Sequence, residues 1–283
     1  MQPAVRIPGY LLLGRLGGGP MTTVYQAQDV ETGAFAAIKV VRPDWEDQTT
    51  AIKLLQREAR VGLAGRHPHL VRVTHTHVLQ PPYYLVMELL PGESLRRRLQ
   101  RDYRLAVADA LWITRQMAEA LAALHQAGFL HGDIKPDNLR LTGDGTAVLT
   151  DLGFAHRVGE NAAFLRAGYV LGTANYLAPE LCHERPSEDL SSDLFSLGVT
   201  LFEMLTGRLP YPPGSLRQTF RRHRCDPPAD IRQLAGPLPS GLVQLVQQLL
   251  AHDPAARPRA SSVVQQLVHL EITALRLRVH RAG

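Results

Sequence analysis

Apolar and polar positions alternate in short runs through the first third of the chain. Leu11 to Leu16, Thr23 to Gln28 and Ala34 to Val41 are β-rich, with glycine or Glu-Thr-Gly turns between them. Each run predicts a strand. Gln48 to Ala64 carries its apolar residues at helical spacing, and two more strands are expected at Val71 to His77 and Tyr83 to Glu88. After Pro91-Gly92 the period changes. Val107 to Ala127 places Leu111, Met117, Leu121 and Leu124 at helical spacing and stops at Gly128, a residue suited to a left-handed cap. A further helix runs to Thr206 and ends at Gly207, with Ser191 or Ser192 as its expected N-cap. Helices near Gly241 to Ala251 and Ser261 to Leu275 follow. The pattern predicts an α+β, bilobal chain: a β-rich N-lobe with one main helix (1–87), a hinge (88–92) and a larger, mainly helical C-lobe (93–283). A cleft between two such lobes is where ligands usually bind.

Composition narrows the reading. The 283 residues carry a net charge of +5 and a pI near 9.5. A basic chain suits nucleic acid or an anionic membrane, but the arginines are scattered, so no nucleic-acid partner is expected. The densest run, Arg96-Arg97-Arg98, reads as the solvated face of a short helix. Only three of the 31 basic side chains are lysines, namely Lys39, Lys53 and Lys135. An ammonium is a compact point charge where a guanidinium is a planar fork, so the lysines single themselves out. Cys182 and Cys225 form no C-x-x-C pair and predict idle thiols in a reducing compartment. The N-terminus lacks the apolar stretch of a signal peptide. The longest apolar run, Leu194 to Leu205, is too short to span a bilayer and contains Glu203. A cytoplasmic chain with no membrane segment is expected.

Three clusters carry chemistry. Leu16 to Tyr25 (L-G-G-G-P-M-T-T-V-Y) puts glycines between two strands, where the backbone can approach a phosphate chain. The same glycines also suit a plain hairpin turn. In A-A-I-K-V, strand alternation sets Lys39 on one face with Ala37 and Val41. It is either a snorkelling edge lysine or a charge aimed into the cleft. Glu58 shares a helix face with Leu54, Leu55 and Val61, and an acid on a buried face needs a partner. Lys39 is the candidate, with a partly exposed Glu58 as the alternative. The third cluster is H-G-D-I-K-P-D-N, His131 to Asn138, followed by T-D-L-G, Thr150 to Gly153. Phosphoryl transfer needs a proton acceptor, positive charge at the γ-phosphate and oxygen ligands for magnesium. Asp133, Lys135, Asn138 and Asp151 are residues of those kinds.

On these motifs the chain resembles the catalytic domain of eukaryotic-type (Hanks-type) protein kinases, and is most similar to their bacterial serine/threonine branch. The resemblance covers nearly the whole chain and implies the bilobal protein-kinase-like fold, with a whole catalytic domain present. It implies Asp133 as catalytic base, Lys135 at the γ-phosphate, and Lys39 paired with Glu58. It implies Asn138 and Asp151 as ligands of Mg2+, or of Mn2+ in its place. The ATP site would use Leu16, Gly17, Gly19, Val24, Ala37, Lys39, Met87, Glu88 and Leu90 together with Asn138 and Asp151. Asp193 resembles the acid that braces the catalytic loop, and Arg257 the buried partner of Glu180 in Ala178-Pro179-Glu180. Lys135 after Asp133, with Gly172-Thr173 ahead of that motif, implies a protein substrate offering a serine or threonine hydroxyl.

The chain departs from the family at several places. Thr22 replaces a loop glycine beside Pro20, which stiffens the loop and predicts slower ATP handling. Gly132 replaces the arginine that, in the family, grips a phosphate on the activation segment. Between Leu152 and Gly172 the only hydroxyl is that of Tyr169, so activation without phosphorylation of that segment is expected. Leu152 replaces a phenylalanine. Gly62 stands where a large apolar side chain is usual, predicting a gap and a mobile helix that a regulatory partner steadies. Arg140 enters the adenine floor, where its alkyl stem would lie under the base. Two alternatives follow: a pseudokinase acting as an ATP-binding or scaffolding module, and a small-molecule phosphotransferase of related fold.

Overall fold

The computed structural model describes residues 5–166 and 169–282, with side chains to Ala274. The first part is an antiparallel sheet. Its strands are β1 (Tyr10–Gly18), β2 (Thr22–Asp29), β3 (Phe35–Val41), β4 (Val73–His77) and β5 (Tyr84–Glu88), in the order β1-β2-β3-β5-β4. Helix α1 (Thr49–Ala64) crosses between β3 and β4 in the chain and packs on one face of the sheet. Ala51, Leu55 and Ala59 of α1 cover Val41 and Leu85.

The rest is helical around small two- and three-residue strands. In chain order these are β6 (Glu93–Ser94), α2 (Leu95–Asp102), α3 (Val107–Gln126), β7 (Phe129–Leu130), β8 (Leu139–Leu141), β9 (Ala147–Leu149), β10 (His156–Arg157) and α4 (Ala162–Arg166). Then come α5 (Ser191–Thr206), α6 (Leu216–Cys225), α7 (Ile231–Ala235), α8 (Ser240–Leu249) and α9 (Ala260–Ala282). The run Leu194 to Leu205 lies in α5, and nearly all of that helix is buried. A helix buried on nearly every side sits in the centre of a core, and α5 is that centre. No helix among the described residues is long and apolar enough to cross a membrane.

Most predicted elements lie within two residues of their observed bounds. Three expectations change. Neither Ser191 nor Ser192 caps α5; both are inside it, and Asp189 Oδ1 accepts from the Ser191 N–H at 2.8 Å. Strand β4 starts at Val73 rather than Val71, because the Val71 N–H is spent on Leu149 O of β9. Arg96 is not on a solvated face. It donates to Glu203 and Tyr176 at 2.6 Å each and to Asp137 at 3.2 Å.

The two thiols differ. Cys182 is buried and Cys225 exposed, and burial, with Glu180 beside it, pushes the Cys182 thiol up to about 12. A protonated buried thiol is unreactive. Native protein treated with iodoacetamide at neutral pH should therefore be modified at Cys225 only, and at both cysteines after denaturation, as read by intact mass.

Candidate active site

Strand β3 threads Lys39 between Ile38 and Val40, and the side chain turns toward the cleft beneath the sheet. Lys39 Nζ lies 2.6 Å from Glu58 Oε2 on α1 and 2.6 Å from Asp151 Oδ1. Lys39 and Glu58 are almost wholly buried, whereas the Asp151 side chain is 40% exposed on the cleft wall. Burial works against the Lys39 charge, but Asp151 and Glu58 outweigh it and raise its pKa. The same ammonium, working against burial, holds Asp151 below the usual carboxylate range. Lys39 is thus no snorkelling edge residue, and Glu58 is no exposed acid.

The segment His131 to Asn138 forms the second half. Asp133 Oδ1 accepts from the Thr173 hydroxyl at 2.8 Å, and its Oδ2 accepts from Asn138 Nδ2 at 2.9 Å. Lys135 Nζ is 2.7 Å from Asp133 Oδ2 and 2.6 Å from Thr173 Oγ1. Asn138 Nδ2 also donates to Asp133 O at 2.8 Å, which leaves its amide oxygen for a ligand. Asp193 of α5 braces this loop from behind. Its carboxylate accepts from the N–H groups of His131 (2.8 Å) and Gly132 (3.0 Å) and meets His125 Nε2 at 2.9 Å. Burial pushes Asp193 up, yet these hydrogen bonds and the histidines hold it below the ordinary value.

Both halves border one cavity of about 610 Å3. Its walls include Leu16, Gly17, Gly19, Val24, Ala37, Met87, Glu88 and Leu90, together with Lys39, Glu58, Lys135, Asn138 and Asp151. Glu88 donates its N–H to Arg72 O at 3.0 Å, which fixes the strand end at the cavity wall. Asp133 stands just behind Lys135 and Asn138. Other wall residues escaped the sequence reading, including Gly18, Val71 and Leu139. Gly18 has φ +142, and a Cβ there would meet Thr22 O at 2.4 Å, so this glycine makes the turn. The signal was the middle glycine of the run Gly17-Gly18-Gly19; nothing local marked Val71 or Leu139, which reach the cavity from different elements. Arg140 lines the cavity as expected and donates to Pro91 O at 3.4 Å. Burial, then nearby Arg97, pull its pKa down.

The gap expected at Gly62 does not exist. A Cβ at Gly62 would lie 2.3 Å from Val73 Cγ2, so the β4 valine already fills the space, with Leu152 next to it. Leu152 is buried beneath α1. The outward face of α1 is tied as well. Arg57 Nη1 donates to Asn161 Oδ1 at 2.6 Å, and Arg60 Nη2 lies 2.8 Å from both oxygens of Glu160. Farther down, Arg257 grips Glu180 through two hydrogen bonds of 2.7 and 2.8 Å.

A five-stranded sheet with one helix, set on a helical body with this constellation in one cavity, is the build of the two-lobed kinases. The protein kinase domain family matches residues 10–268, and the chain belongs to that family. Serine/threonine-protein kinase PknD of Mycobacterium tuberculosis is 33% identical over 88% of this chain and 37% of its own length. PrkC of Bacillus subtilis is 30% identical over 98% of this chain and 42% of its own length. PkaB of Streptomyces coelicolor is 36% identical over 90% of this chain and 61% of its own. The chain therefore spans less than two thirds of each of these relatives.

The Gly62 contact has a measurable consequence. Alanine gains up to about 1 kcal/mol in a helix over glycine, but overpacking against a stiff valine costs about 1–3 kcal/mol. Gly62→Ala should lower stability in urea melts, and adding Val73→Ala should recover part of the loss. A Gly62→Ala variant more stable than the parent would mean that Val73 does not fill this space.

Proposed function

We propose that this chain is the catalytic domain of a serine/threonine protein kinase, transferring the γ-phosphoryl group of Mg-ATP to a protein hydroxyl. One observation carries the reading: Lys39, Glu58 and Asp151 from one side, and Lys135 and Asn138 from the other, border a single cavity, with Asp133 held directly behind the last two. Its volume lies in the range of cofactor sites.

The residues fit the nucleotide and its metal. Asn138 has only its amide oxygen to offer, and Asp151 is a carboxylate; hard oxygen donors of this kind suit Mg2+ or Mn2+. When bound, the metal would neutralise charge on the phosphate oxygens. Leu16, Val24, Ala37, Met87 and Leu139 form apolar walls for a purine, with the backbone of Glu88 and Leu90 at its edge and Gly17 and Gly19 over the phosphates. Lys39, held by Glu58, would bind phosphate oxygens. Asp133 would orient the acceptor hydroxyl and take its proton. An aliphatic hydroxyl, that of Thr173, already sits 2.8 Å from Asp133 with Lys135 on the same oxygen. That arrangement favours a short Ser or Thr acceptor over a phenol. Lys135 would offset the charge growing on the transferring group.

We take 1–87 as the N-lobe, 88–92 as the hinge and 93–283 as the C-lobe, and place the domain on the cytoplasmic side, where ATP is available. The Arg257–Glu180 pair braces the segment on which a protein substrate would lie, which favours a protein over a small-molecule acceptor. We assign the steadying of α1 to Val73, Glu160 and Asn161 rather than to an outside partner.

The test is transfer from labelled Mg-ATP to a basic acceptor protein, beside Asp133→Asn. Transfer should fall by about 10²-fold or more in the variant. ATP at a hundredfold excess over its Kd should add about 2.7 kcal/mol of stability to both proteins. Nucleotide binding without transfer by the parent chain would point to a scaffolding role instead.

A further inference from the structure

Behind the catalytic loop lies a second, enclosed cavity of about 40 Å3, bordered by Gly132, His156, Glu188 and Asp193. His156 and Glu188 form a buried pair there, with side chains only 5% and 7% exposed. The hydrogen bonds of His156 define its charge. Nδ1 lies 2.6 Å from Phe154 O and Nε2 lies 2.9 Å from Glu188 Oε1. The Phe154 carbonyl has no proton to give, and a neutral imidazole has one N–H, so against a carboxylate at Glu188 both contacts are hydrogen bonds only in the imidazolium. His131, also buried, shows the contrast. Its Nδ1 accepts from the Asp133 N–H at 3.3 Å while Nε2 meets Thr150 O at 3.2 Å, a neutral ring. Burial pulls His156 toward neutrality, but Glu188, with Asp193 beyond it, more than compensates and raises its pKa.

The pair holds the part of the chain that the reaction needs. Phe154 ends the short turn 152–154 that directly follows Asp151, itself in a left-handed conformation at φ 61°. His156 thus ties that turn to Glu188, thirty-odd residues on, while pairing with Leu130 just before the catalytic loop. Gly132 makes the closure sterically feasible. It has φ +79, and a Cβ there would stand 2.9 Å from Phe154 O. The second Glu188 oxygen, Oε2, is buried with no hydrogen-bond partner among the described residues. Burying a carboxylate this way costs several kcal/mol unless a cation compensates, and His156 is the side chain placed to supply it.

We propose that Glu188 is a positioning residue for the Asp151 loop, acting through an imidazolium at His156, and that this permanent internal charge pair holds the competent arrangement without any modification of the segment. The proposal rests on the kinase reading and names how that site is kept in order.

The test combines a spectroscopic and a kinetic arm on the full chain. In protein labelled with 15N-histidine, both ring nitrogens of His156, assigned through His156→Gln, should carry protons at neutral pH. Glu188→Gln should abolish that signature. A neutral His156 ring in the parent overturns the proposal, whether or not the chain transfers phosphate. In the kinetic arm, Glu188→Gln should lower kcat by about tenfold while the Kd for ATP stays within about twofold, and Glu188→Asp should recover most of the rate. Phosphatase-treated parent protein should keep its full rate. An unchanged kcat in Glu188→Gln, or a phosphatase-treated parent that regains its rate only on incubation with ATP, overturns it. If Glu188→Gln fails to fold, Glu188→Asp and the parent spectrum still decide. A parent chain that transfers nothing, with the imidazolium present, counts against the kinase reading and leaves the charge pair standing.

Discussion

The structure depends on one buried ammonium with two carboxylates. Lys39 comes from the sheet, Glu58 from the helix lying on it, and Asp151 from a loop of the other part of the chain. An isolated charge in that place would be expelled or neutralised. With both partners at 2.6 Å it is instead the point where three elements are forced to agree. Removing one member of a buried pair typically costs about 3–5 kcal/mol, because the remaining charge stays buried without its counterion. The same contact that sets the position of α1 therefore also sets the position of Asp151 at the cavity.

A second buried acid does the equivalent work for the catalytic loop. Asp193 sits near the start of the central helix α5 and receives two backbone N–H groups from the loop. The helix start favours a negative charge, and the buried surroundings of α5 make the site rigid. Cleft chemistry is thus carried on backbone that the core itself holds. Lys39 fixes one side of the cavity and Asp193 the loop on the other, with Asp151, Leu152 and the pair His156–Glu188 between the two hubs.

Where the chain lacks a side chain that its family usually has, something else occupies the space. Val73 fills the place beside Gly62, and backbone of Phe154 closes on Gly132. Arg57 and Arg60 reach from α1 to Asn161 and Glu160. Native packing density leaves few holes, so a missing side chain at one position is matched by a neighbour from another element. A single position read alone shows the loss and hides the compensation.

That separates what the residues declare from what the fold decides. The strand and helix periods, the glycine turn before Thr22, the lone lysines and the run from His131 to Asn138 were legible locally, because backbone geometry and charge act over a few residues. They determined the two-part architecture and named Lys39, Glu58, Asp133, Lys135, Asn138 and Asp151 as one constellation. The filled space at Gly62, the pairing of Arg96 with Glu203, Tyr176 and Asp137, and the His156–Glu188 pair were decided only by tertiary contact. Each depends on a partner from another element of the chain. Whether a group is paired, buried or charged is a property of its surroundings, and those exist only once the chain has folded.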